Sequence, residues 1–188
     1  MRSPDLLDRD TAVLCVVDIQ ERLAAAMAER EPVIEAARRL ILSARRLSVP
    51  VVVTEQYPRG IGPTEPAVVE ALGDDYRPLE KLHFSCFQEP AFAERLVQFA
   101  QNGRKQVILC GMETHVCLLQ TCLDLLHCGH QVHVAADAVC SRSADNKRLA
   151  LKQMRRAGAV VTGVEAAVYQ MLVLAGTPEF KDLLPLFR

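Results

Sequence analysis

The sequence predicts an α/β domain, a three-layer α/β/α sandwich around a mainly parallel sheet of about six strands. Three observations carry this prediction. Apolar runs of strand length recur along the chain, they alternate with segments of helical spacing, and they are apolar throughout rather than at every second residue. Strands apolar on both faces have to be covered on both faces, and helices returning between parallel strands supply the cover. Right-handed crossovers distribute those helices over the two sides of the sheet.

The elements follow in order. AVLCVV (12–17) is short, apolar and rich in β-branched residues, and reads as the first strand. Val33, Ala36, Ala37, Leu40, Ala44 and Leu47 fall on one helical stripe, with Pro32 suited to the first turn. VPVVVT (49–54) is the second strand. Gly60, Gly62, Pro63 and Pro66 mark the stretch from Arg59 to Pro66 as a loop. Ala67 to Leu72 reads as a short helix, and Leu79 to Phe84 as a short strand and its exit. Glu89-Pro90 opens a helix that Asn102-Gly103 stops. KQVILC (105–110) is a strand, and Thr114 to Cys128 a helix closed by Gly129. QVHVAA (131–136) is a strand, Ala144 to Ala157 a helix ended by Gly158, and Ala159 to Thr162 a last strand before a mainly helical tail.

The 188 residues carry no internal repeat, low-complexity tract or linker, so one domain over 1–188 is expected. A net charge of −1, with both signs mixed along the chain, provides no footprint for nucleic acid or an anionic membrane. No apolar run approaches the roughly 18 residues that span a bilayer. The start, MRSPDLLDRD, has neither an apolar core region nor a cleavage site, and the expected compartment is the cytoplasm. Seven cysteines, at 15, 86, 110, 117, 122, 128 and 140, are an odd number in a chain without a secretion signal, so reduced thiols are expected. The chain lacks Cys-x-x-Cys, so neither a thioredoxin-type motif nor a zinc ribbon is on offer.

In open parallel sheets, ligands bind beyond the carboxyl ends of the strands. Asp18 follows the first strand directly, Lys81 lies at the end of the third, and GMETHVC (111–117) follows the fourth. An acid, a base and a thiol are thereby expected at one edge of the sheet. A free thiol titrates near ~8.5, and a helix N-terminus or a nearby ammonium favours its anion. The expectation is therefore a Cys117 with a lowered pKa, Asp18 to take its proton, and backbone N–H groups to bind an oxyanion. Taken singly, each residue has a plainer reading. Cys117 sits among Leu118, Leu119, Cys122 and Leu123 like a packed thiol, Asp18 suits a helix cap, and Lys81 suits a surface. His127, His130 and His133 resemble a ligand cluster, yet they span a helix end, a turn and a strand with no zinc spacing.

These stretches resemble the isochorismatase-like superfamily, which includes nicotinamidases and N-carbamoylsarcosine amidase. The carriers are AVLCVVDIQERL (12–23), VPVVVTEQYPRGIGPT (49–64), KLHFSCF (81–87), VILCGMETHVCLLQTCLDLL (107–126) and VAADAVCSR (134–142). The resemblance implies a catalytic triad of Asp18, Lys81 and Cys117, with a cis peptide at Met112–Glu113 and oxyanion-hole N–H groups from Glu113 and Cys117. It implies an oligomeric hydrolase that cleaves an amide-type C–N bond of a small molecule through a thioester. Gln20, Gln56, Tyr57, Phe84 and His115 are the expected pocket residues. Two departures narrow the branch. Nicotinamidases carry metal-binding Asp-x-His after the second strand, where this chain has Thr54-Glu55-Gln56-Tyr57-Pro58, and isochorismatases proper lack the cysteine. No metal or other cofactor is expected, and the match is to the isochorismatase domain-containing or YcaC-related branch. Two rival readings are a non-catalytic scaffold with a relic triad and a thiol redox protein using Cys117.

Overall fold

A computed structural model describes residues 2–188. In chain order the strands are β1 (Ala12–Val17), β2 (Val51–Gln56), β3 (Leu79–Lys81), β4 (Gln106–Met112), β5 (Gln131–Cys140) and β6 (Val160–Thr162). The helices are α1 (Glu21–Ala24), α2 (Arg30–Arg46), α3 (Pro58–Ile61), α4 (Pro66–Leu72), α5 (Pro90–Gln101), α6 (Leu119–His127), α7 (Ala144–Arg156), α8 (Val164–Leu172) and α9 (Pro178–Leu183). The strands form one sheet in the order β3-β2-β1-β4-β5-β6, and every pairing is parallel.

The apolar runs account for the layers. All six residues of β1 are buried, because the strand is central and covered twice. Ala12, Leu14 and Val16 face one layer, where α2 contributes Val33, Ala37, Leu40, Ile41 and Ala44, and α8 adds Val164, Ala167, Val168 and Met171. Val13, Cys15 and Val17 face the other, against Phe92 and Leu96 of α5, Cys122 and Leu125 of α6, and Met154 of α7. Each fully buried aliphatic side chain contributes about 1.5–3 kcal/mol by leaving water.

The strand order also fixes where a ligand fits. From β1 the chain builds outward through β2 to β3, then crosses back to lay β4 on the other side of β1. The carboxyl ends of β1 and β4 flank this reversal, the place where an open parallel sheet leaves a crevice.

Three local features differ from the sequence expectation. Pro58–Ile61, expected within or beside a loop, closes a helical turn, with Pro58 at its first position and Gly62 at φ 87° ending it. Strand β5 runs on to Cys140 past a register shift between Leu109 and Gly111 of β4. The helix expected from Thr114 opens as a π-helical turn, Thr114–Leu118, in which Leu118 N–H bonds the Glu113 carbonyl at 3.3 Å.

Candidate active site

Asp18 leaves β1 in the left-handed region, φ 52°, and its side chain is fully buried at the sheet edge. Its N–H still donates to Thr54 O at 3.2 Å, so the strand pairing holds the residue to the end of β1. Thr54 Oγ1 donates to Oδ1 at 2.7 Å, and Lys81 Nζ lies 2.7 Å from Oδ2. Lys81 closes β3 in register with Gln56, which places its side chain beside the ends of β2 and β1. Its ammonium donates to Gln56 Oε1 at 2.6 Å and to the carbonyls of His83 and Phe84 at 3.3 Å. Desolvation of such a pair is costly, and only this ring of oxygens makes it tenable. Burial opposes the Lys81 charge, but Asp18, with Cys86 and Cys117 near it, prevails and raises its pKa above the usual lysine value.

Gly111 supplies the third element. It lies beside Val17 in the β1–β4 register at φ 129°, and a Cβ there would stand 1.9 Å from the Val17 carbonyl oxygen. The glycine is therefore what lets β4 approach the end of β1 one residue before Asp18. The Met112–Glu113 peptide is cis, and the chain then enters the π turn that carries Cys117. The Cys117 thiol lies near enough to the Asp18 carboxylate for that charge to act on it. Its pKa is pushed up, first by burial and then by the Asp18 charge, and Lys81 offsets only part of this. The expected lowering of this pKa is thus corrected. Lys81 is spent on Asp18, and the thiol, 5% exposed, faces a carboxylate rather than a free cation. The thiol rests protonated, near the group that can take its proton.

The remaining expected residues fall into two sets. Gln56 supports Lys81 through Oε1 and donates from Nε2 to Leu82 O at 2.9 Å. Gln20, expected in the pocket, is instead fully buried and spent on backbone. Its Nε2 donates to Gln56 O and Gly62 O at 3.1 and 2.6 Å, and its Oε1 accepts from Gln56 N–H at 2.8 Å. His115 is half-buried at the site edge, its Nδ1 3.0 Å from Ser141 Oγ and its Nε2 3.4 Å from Asn146 Nδ2. Tyr57 and Phe84 stand at the surface, 51% and 55% exposed, with Leu82 at 71% between their loops. The Glu113 carboxylate accepts from Arg142 N–H and Nε at 2.9 and 3.1 Å. Glu55, the acid of the Thr54–Pro58 stretch, is occupied by Thr64 N–H, Thr64 Oγ1 and Tyr76 OH, all at 2.7 Å. His130 packs edge-on to Phe87, ring centroids 6.1 Å apart, away from this edge.

Sequence reasoning missed Thr54, Cys86 and Thr121. Cys86 Sγ sits 3.8 Å from the Thr54 hydroxyl that serves Asp18, and its N–H donates to Thr121 Oγ1 at 2.8 Å. Burial pushes the Cys86 thiol up to about 12, and the Asp18 charge adds to this. Its signal was its place in KLHFSC, five residues after Lys81. Ser85 Oγ donates to Asp124 Oδ2 at 2.7 Å, tying the loop after Lys81 to the helix after Cys117.

A family model for the Isochorismatase domain matches residues 12–166. The "Secreted isochorismatase effector Isc1" of Phytophthora sojae is 41% identical over 180 residues, covering 95% of this chain and 85% of that protein. "Isochorismatase domain-containing protein 2A" of Mus musculus is 40% identical over 177 residues, covering 93% and 81%. Among solved structures, the "MAR1 Ribonuclease" of Caenorhabditis elegans superposes with a TM-score of 0.89 at 39% identity, covering 96% of this chain and 91% of that one.

Proposed function

Because the chain belongs to the isochorismatase domain family, we propose that it is a cysteine hydrolase acting on the amide-type C–N bond of a small molecule. One observation carries the reading. A fully buried carboxylate is held between an ammonium and a thiol at the carboxyl edge of a parallel sheet. A buried ion pair is costly to desolvate and adds little to stability, so catalysis supplies the better reason for one in that position.

In this scheme Asp18 takes the Cys117 proton as sulfur attacks the carbonyl carbon. The C–S bond forms, and the tetrahedral oxyanion rests on the backbone N–H groups of Glu113 and Cys117. Asp18 returns the proton to nitrogen as the C–N bond breaks, releasing ammonia or an amine. Water then attacks the thioester, passes a proton to Asp18, and the acid leaves as the thiol reforms. Lys81 holds the Asp18 charge and its orientation throughout. Gln56, through Lys81, and Thr54, through Asp18, are positioning residues. The scheme uses no metal or organic cofactor. We place the protein in the cytoplasm, a reading supported by its free thiols, and we expect a homo-oligomer.

The nematode relative is named a ribonuclease. A net charge of −1, with many arginines paired to acids, supports a small neutral or singly charged substrate over RNA. The test is a panel of small amides followed by ammonia release and intact mass. Turnover with a trapped acyl adduct on Cys117, both lost in Cys117→Ala, supports the hydrolase. Binding without turnover at any pH supports the relic scaffold, and peroxide consumption supports the redox protein.

A further inference from the structure

Strand β3 is too short for the sheet edge it closes, and the gap it leaves is lined by arginines. β3 pairs with β2 only from Thr54 to Gln56. Leu14 N–H bonds the Pro50 carbonyl at 2.9 Å, so Pro50 and Val52 turn their backbone groups toward β1. Val51, by alternation, turns its N–H and carbonyl outward, where β3 has no residue in register. A cavity of about 510 Å³ takes the place of the missing strand. The end of α2 walls it on one face of the sheet and α5 on the other, with the chain before β3 across its front.

Three guanidiniums and one carboxylate line this cavity. The carboxylate, Asp75, is already paired with Arg45, Nε to Oδ2 at 3.0 Å, and Arg45 gives Nη1 to Ala71 O at 2.8 Å. Arg77 engages Nη1 alone, on the carbonyls of Asp74 and Tyr76 at 3.0 and 2.7 Å. Its Nε and Nη2 stay free among the described residues. Arg95, on α5, has no hydrogen bond or ion pair among the described residues. Unbalanced charge of one sign around a cleft raises the local potential and gathers anions. Beneath the cations, Pro50, Val51, Leu79 and Phe99 offer half-buried apolar surface. Ligand pockets combine these same elements, a mostly apolar floor and a few convergent polar groups.

We infer that this cleft is a second ligand site, for a small organic anion. Its charged head meets Arg77 and Arg95, and its apolar body lies on Leu79 and Phe99. The site is remote from the thiol edge. Val51 opens β2 and Gln56 closes it, roughly 17 Å of strand at about 3.3 Å per residue. The occupant is therefore an effector and not the substrate, and the inference does not need the hydrolase reading. An anion seated here gives the Val51 N–H an acceptor and presses on Leu79, two residues before Lys81 in the same strand. It steadies β3. Arginines that are merely solvated would bind anions weakly, without regard to the apolar body.

The test follows backbone amide signals of the full, isotope-labelled chain by NMR during titration with naphthalenesulfonate. Saturable shifts are expected at Val51, Leu79 and Arg95, and exchange of the amides at 79–81 is expected to slow. Naphthalenesulfonamide keeps the body and loses the charge, while inorganic phosphate keeps the charge and loses the body. Each is expected to bind about tenfold more weakly or worse. R77Q and R95Q each weaken the sulfonate by about tenfold, and Arg155→Gln, an exposed cation on α7, leaves it unchanged. If either variant fails to fold, the comparison of the three probes decides alone. No saturable shift at Val51, or equal affinity for all three probes, overturns the inference. So do shifts centred on 111–117, which would send the anion to the thiol edge. Signals at 49–52 that change with protein concentration and not with probe would give the cleft to a second copy of this chain, and would also overturn it.

Discussion

Lys81 Nζ and Asp18 Oδ2 are 2.7 Å apart, and neither side chain has any solvent-exposed surface. Removing one partner strands the other's charge, which costs about 3–5 kcal/mol in comparable buried pairs. Lys81→Met is therefore expected to lose that much in urea unfolding. Asp18→Asn combined with Lys81→Met is expected to recover most of it while staying inactive. A double variant as unstable as Lys81→Met would show that the loss is steric rather than electrostatic.

Thr54→Val removes the hydroxyl that donates to Asp18 Oδ1 at 2.7 Å without changing the shape of the side chain much. Leaving a buried carboxylate oxygen short of a donor costs about 1–3 kcal/mol. Turnover of any substrate found is expected to fall by about tenfold or more, with KM nearly unchanged. Thr54→Ser restores the donor and is expected to restore kcat. A Ser variant as slow as Val would point to methyl packing instead.

Gly111→Ala places a Cβ 1.9 Å from the Val17 carbonyl oxygen. Backbone cannot yield there without parting β1 from β4, and a loss of about 4 kcal/mol or more is expected. Gly103→Ala is the control, since its φ of +83° is also positive but nothing stands within 4 Å. That variant is expected to lose only about 1 kcal/mol. Equal losses in thermal melts would mean that the close approach of the two strands is not what makes Gly111 necessary.

Alkaline pH is expected to weaken the fold. Burial pushes Cys86, Cys110, Cys122 and Cys140 up to about 12 and raises Cys15 and Cys117 as well. From the ordinary thiol value of 9.0 upward, the unfolded chain loses these protons while the folded chain keeps them. The unfolded state then binds fewer protons, so stability falls with rising pH, by about 1.4 kcal/mol per pH unit for each thiol. Acid acts on other groups. Burial lowers the pKa of His130 and His133, so their contribution is present above 6.5 and is lost as pH falls below it. Urea midpoints from pH 4 to pH 11 check both limbs, and Cys122→Ala is expected to flatten the alkaline one.

Much of this was readable in the chain. AVLCVV announces a central strand because both of its faces are apolar, and the residue that ends such a strand lands at the crevice, which delivers Asp18 without coordinates. Lys81 was legible as a residue at a strand end, and Cys117 as one in the turn that follows a strand. What they do to each other was not. The ionic state around Cys117 depends on which charge Lys81 meets first, and only β3 pairing with β2 beside β1 decides that. Thr54 looked like the last residue of an apolar strand, and Cys86 carried no role of its own, because their shared contact lies 32 residues apart in sequence. The π turn has no composition signal, since THVCL suits an α-helix equally well.

The three chemical groups hang on strands of unequal strength. Asp18 and Cys117 flank the two central strands, but Lys81 ends β3, a three-residue edge strand with one neighbour. Edges and short strands open locally at a fraction of the global unfolding energy. A small excursion of β3 would carry the ammonium out of the pair while both hydrophobic layers stay packed. In mild denaturant this chain is therefore expected to become chemically silent while still folded, with amides at 79–81 exchanging long before those at 12–17.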